Sequence, residues 1–161
     1  MTPARQPGQC PDPPRLTWPI GQWNPSCVKA IPEQLVAQVV SDISERMADP
    51  QYIQIAVGRF VQSQPAISQF LSARASAFGG EAVIHAAFHS DIVSECFLRQ
   101  LGRDMLPEVG FQDLDRVAQD GSLAKLADEQ PAIANYLASN VEGDALRDVI
   151  ALVARALASV V

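Results

Sequence analysis

Charge, aromatic rings and histidine are all scarce in this chain of 161 residues, which is 19% charged and 6% aromatic and has two histidines. Basic charge is especially short: 12 Lys and Arg stand against 18 Asp and Glu, a net charge of −6. A chain of that sign is repelled by phosphate backbones and by anionic lipid, which argues against general nucleic-acid or membrane-surface binding. Long apolar runs are missing as well. The most apolar stretch, residues 149–161, is short and contains Arg155, so no transmembrane helix is expected. Residues 1–8 lack the apolar segment of a secretory leader, which places the protein in the cytoplasm.

Three cysteines do not make an even disulfide framework. Cys10 and Cys27 flank one Pro-rich segment, and in a reducing compartment the default is free thiols. Cys96 lies among Val93, Phe97 and Leu98 and reads as a small buried hydrophobe. The nucleophile elbow Gly-x-Ser-x-Gly, the phosphate-cradling glycine loop and the dinucleotide fingerprint do not occur. The acidic residues do not follow the spacing of a calcium loop. These absences point away from an enzyme.

Proline is abundant, and its distribution divides the chain. Eight of the 12 prolines, and both tryptophans, Trp18 and Trp23, fall within the first 32 residues. Proline fixes φ and has no backbone donor, so residues 1–31 read as an extended arm rather than helix or central strand. Two tryptophans are unusual in such an arm. They read either as pins holding the arm to its own helical body or as anchors for a partner, where Trp is enriched.

Residues 32–161 read as one α-helical domain of about seven helices. Leu35, Val36, Val39, Val40 and Ile43 mark one face of a first helix. Asp49-Pro50 reads as the start of a second and Pro65 of a third. A fourth spans about 81–103. A fifth spans about 112–127, with Gly121 as a break point, and Pro131 opens a sixth. A seventh runs from Ala145 to the C-terminus.

The strongest pattern is self-similarity at an offset of 66 residues. Gln64-Pro65-Ala66-Ile67 recurs as Gln130-Pro131-Ala132-Ile133. Without a gap, Phe70 falls on Tyr136, Leu71 on Leu137, and Val83-Ile84 on Val149-Ile150. The expectation is a duplicated three-helix unit, with copies at about 50–104 and 112–161, packed as a pseudo-symmetric bundle. The helix at 32–48 would cap one side.

The candidate metal ligands are His85 and His89. At i and i+4 they share a helical face, which lets two imidazoles chelate one cation. Glu81 and Cys96 lie on the same side, but one straight helix holds them too far apart along its axis to complete a ligand set. The plainer reading is two boundary histidines beside a polar edge of Glu81, Asp91, Glu95 and Arg99. Both long helices are apolar nearly all round, which implies mutual burial or surplus apolar surface for a partner.

The sequence therefore reads as a non-enzymatic helical interaction or accessory subunit. It would bind a protein partner or form a homo-oligomer through its arm and apolar helix surface, with Trp18 and Trp23 as anchors. The alternative is a metal- or haem-binding helical protein using His85 and His89. A carrier of lipid or another small molecule in a bundle cavity is a third reading, without a specific feature behind it.

Overall fold

The computed structural model describes residues 29–161. Trp18, Trp23, Cys10 and Cys27 lie outside the described residues. Nine helices and no strand occur among those described. They are α1 (Glu33–Arg46), α2 (Tyr52–Ser63), α3 (Pro65–Ser72), α4 (Ala75–Phe78), α5 (Gly80–Leu101), α6 (Phe111–Ala118), α7 (Ser122–Glu129), α8 (Pro131–Asn140) and α9 (Asp144–Val160). None of them is long and apolar enough to cross a membrane.

Nine replaces the expected seven for two local reasons. Residues 112–127 do not form one helix, because Gly121 takes φ +74°, a left-handed conformation that separates α6 from α7. A single turn, α4, also precedes α5. The second helix starts at Tyr52 rather than Pro50, since Asp49 instead accepts the N–H of Gln51 at 2.9 Å in a turn before it.

The two longest helices form the centre. α5 packs against α9, and the shorter helices wrap them: α1 to α4 lie on α5, and α6 to α8 on α9. From Ile150 to Leu157 every residue of α9 is buried. Ala86 and Ala87 on α5, with Ala151, Ala154 and Ala156 on α9, are buried too. Side chains this small let the helix axes approach closely. One continuous apolar cluster runs through the structure, from Ile31 to Leu157.

Two polar side chains hold the wrap in place. Gln64 and Gln130 each precede a helix that opens with Pro, and they share nearly one backbone conformation, φ −135°, ψ 67° and φ −139°, ψ 69°. Both are 2% exposed. Gln64 Oε1 accepts the N–H of Val109 at 2.9 Å, and its Nε2 donates to the carbonyl of Pro107 at 3.0 Å. Gln130 Oε1 accepts the N–H of Ile31 at 2.8 Å. Ile31 and Val109 are buried, and each stands two residues before a helix, α1 or α6. Each Gln-Pro corner thus ties down the segment leading into a helix far away in sequence.

Charged side chains complete the clamp. Arg155, 5% exposed, donates to the carbonyls of Val117 and Gly121 and to the carboxylate of Glu129, fixing α9 to the α6–α7 turn. Arg59 on α2 reaches Asp91 on α5 at 2.9 Å. Burial nevertheless raises the Asp91 carboxyl above its ordinary value, outweighing the Arg59 charge. Arg99 bridges Glu95 and, at 2.6 Å, Asp42 of α1.

Gln64→Ala should destabilise the fold by about 1–3 kcal/mol, because it leaves the buried Val109 N–H without a partner. Gln130→Ala should do the same through Ile31. Urea unfolding of each variant measures this, and a change within error of zero would show the corners to be incidental.

Candidate functional site

The face where α1, α5 and α8 meet carries an apolar groove of about 250 Å³. α1 contributes Val40, Ile43 and Met47 from its C-terminal half. α5 contributes Ile84, Phe88 and Ile92, at a four-residue spacing that forms one ridge. α8 contributes Tyr136 and Asn140. Phe88 and Ile92 form the wall and are 7% and 4% exposed, whereas Ile84 and Met47 stand at the rim at 51% and 45%. The sequence pattern put Ile84, Phe88 and Ile92 near the charged edge of the helix. The packing of α1 and α8 along that edge turns it into an apolar wall.

His89 provides the polar feature of the groove. Its Nδ1 lies 2.7 Å from the hydroxyl of Tyr136, and the rings of Phe88 and Tyr136 flank it at 6.0 and 5.8 Å between centroids. Desolvation lowers the His89 pKa, and the nearby charge of His85 adds to the effect. The imidazole is therefore neutral at pH 7. Burial also raises the Tyr136 pKa, so the phenol keeps its proton. Donation from the Tyr136 O–H to Nδ1 satisfies both groups and leaves the His89 N–H on Nε2. Asn140 Nδ2 donates to the carbonyl of Tyr136 at 2.9 Å, which leaves its amide oxygen as an acceptor.

His85 is on the same helix face, one turn earlier. Its Nε2 lies 3.9 Å from Glu81, and both side chains are well exposed. A second, more open hollow of about 480 Å³ lies beyond the two histidines, with Glu81, Val141 and Glu142 on its walls. The helix thus brings His85 and His89 together as the spacing predicts. Among the described residues, no group of three or more His, Cys, Asp or Glu is placed to hold a metal ion. Cys96 is fully buried, and desolvation pushes its thiol up to about 12, so it is inert as a nucleophile.

Sequence reasoning missed Tyr136 as the partner of His89, because 47 residues separate them. One signal was present in the repeat: where one copy has Phe70, the other has Tyr136, and the added hydroxyl needs a polar neighbour once buried.

No protein-family model, curated protein or solved structure matches this chain.

Because the folded state resists protonation of His89, the unfolded chain takes up that proton first as pH falls. The His89 contribution is therefore complete above the ordinary histidine pKa of about 6.5 and is lost as pH falls through the lower folded value. Wild-type stability should drop across that window, and His89→Gln should flatten the drop. Thermal melts between pH 7.5 and 5 check this, and parallel pH profiles would contradict it.

Proposed function

We propose that this protein is a non-enzymatic helical interaction or accessory subunit. It holds a protein partner, or a second copy of itself, at the groove between α1, α5 and α8, with Trp18 and Trp23 of the arm as aromatic anchors. The observation that carries this reading is the groove: an apolar trough open to water, rimmed by Ile84 and Met47. Apolar side chains clustered at a surface concavity gain free energy when a partner covers them. The neutral His89 and the phenol of Tyr136 add hydrogen-bonding capacity without a net charge to desolvate.

We also read the chain as an internal duplication, extended from three helices to four per unit. In this reading α1, α2, α3 and α5 correspond to α6, α7, α8 and α9. The matched Gln-Pro corners support it, as does reciprocal packing: α1 lies on α5 and α8, and α6 lies on α9 and α3. A side-chain detail agrees. Arg74 donates to the carbonyl of Phe70, as Asn140 does to that of Tyr136. At the offset of 66, His89 corresponds to Arg155, whose long side chain reaches into the α6–α7 turn. A shorter histidine at the matching place leaves the α1 side open.

The second reading, a metal- or haem-binding protein, rests on His85 and His89 sharing one face and one hollow. Further ligands would have to come from residues 1–28 or from a partner. If it holds, replacing both histidines by Ala should remove the bound metal or haem, as read by elemental analysis and absorbance. Equal content in wild type and variant would contradict it.

The docking reading is tested by native mass spectrometry of the full chain isolated gently from its own host, beside Ile84→Asp. The wild type should carry a second polypeptide or a second copy, and Ile84→Asp should lose it by at least about tenfold in occupancy, as expected for a charge placed in an apolar contact. Helix content should stay unchanged, since Ile84 is exposed. A bare wild-type chain, or a complex indifferent to Ile84→Asp, would overturn the assignment.

A further inference from the structure

Residues 1–28 precede the described body, and the place where that body begins limits what they can reach. The carbonyl of Lys29 accepts from Gln100 near the C-terminal end of α5, at 3.4 Å, and Ile31 is tied to Gln130. α1 then runs antiparallel to α5, so its far end, Met47, lies beside Ile84 at the groove. The groove covers the stretch of α1 from Val40 to Met47, about 10 to 21 Å along the helix from Glu33.

Chain length can be compared with this span. Trp23 is six residues before Lys29, and Trp18 is 11 residues before it. At ~3.3 Å per residue these links reach at most about 20 Å and about 36 Å. After the stretch from Lys29 to Glu33, the shorter link reaches only the near end of the groove, and the longer one covers all of it.

The chemistry of the groove suits an indole. Its walls are aliphatic and aromatic, and its polar groups include the Tyr136 oxygen and the Asn140 amide oxygen, both able to accept one N–H. Indole has a broad apolar body and one donor, with no acceptor to satisfy. The volume of about 250 Å³ is small for a drug-sized ligand, for which about 300–1,000 Å³ is usual, and fits one large side chain. A short tether also presents the arm at an effective concentration of about millimolar, so a modest contact is populated within one chain before a second copy competes.

We propose that Trp18 of the same chain occupies the groove between α1, α5 and α8 when no partner is bound. The inference rests on the docking reading above and deepens it: the arm is an internal competitor, and a partner that takes the groove displaces it. Such a partner presents an aromatic side chain of its own.

Tryptophan fluorescence tests this without a label, because the chain has only the two tryptophans, both in the arm. The full chain should show blue-shifted emission protected from acrylamide. Ile84→Asp and, separately, Met47→Asp should shift emission to the red and restore quenching while far-UV circular dichroism stays constant. Trp23→Phe should keep the protected signal and Trp18→Phe should lose it. The signal should be independent of dilution. Solvent-like emission in the wild type, or protection indifferent to both rim variants, would overturn arm docking. A protected signal that disappears on dilution would overturn it in favour of a second copy, and one that follows Trp23 would overturn the assignment to Trp18. The docking reading fails separately, when mass spectrometry of the host-isolated protein shows no groove-dependent complex.

Discussion

The rest of the structure depends on the burial of two helices that cannot face water. α9 presents eight consecutive buried residues, and α5 has buried side chains on most of its circumference. A helix of that kind needs neighbours on all sides. The first neighbour is the other long helix, which the alanines admit at close range. The remaining sides require short helices, and short helices require corners that turn sharply without leaving buried backbone groups unsatisfied. The Gln-Pro corners meet that demand. Proline opens the new helix at no loss of an internal hydrogen bond, and the preceding glutamine uses its amide to satisfy a segment from the other half of the chain. The wrap is therefore crossed: each half ties the lead into the other half's first helix.

The wrap does not close uniformly, and the candidate site lies at the difference. At the α6–α7 turn, the buried Arg155 draws two carbonyls and a carboxylate onto α9. On the α1 side His89 stands at the matching place in the repeat and turns to Tyr136 instead. Imidazole is too short to bridge to the end of α1, so an apolar trough remains beside it. A neutral histidine is what such a place tolerates, because a charged side chain beside Phe88 and Ile92 would have to be desolvated without an acidic partner. Packing, the His89 pKa and the open groove thus follow from one difference between two corresponding positions.

Much of this was legible in the sequence. Helical periodicity and the prolines placed most of the helices, and the recurrence of Gln-Pro-Ala-Ile marked both corners. The setting of Cys96 among apolar residues foretold its burial. Other features depended on contacts that spacing does not encode. Glutamine signals a corner but not the segment it will hold, so the bonds to Val109 and Ile31 were invisible. The pairing of His89 with Tyr136 needs α8 to lie across α5. Phe88 and Ile92 looked like edge residues because the side of α5 that α1 covers cannot be read from α5 alone. Gly121 was visible as a weak point, but its positive φ, and hence two helices instead of one, is a property of the packed chain.

The account centres on the claim that the α1–α5–α8 groove receives an aromatic anchor. The most direct measurement is the set of nuclear Overhauser contacts made by the indole protons of Trp18 in the intact chain, with methyl groups labelled. The account predicts contacts to the methyls of Ile43 and Ile84 and to the ring of Phe88. Contacts confined to the neighbours of Trp18 in sequence, with the Ile43 and Ile84 methyls free of any indole, would contradict it.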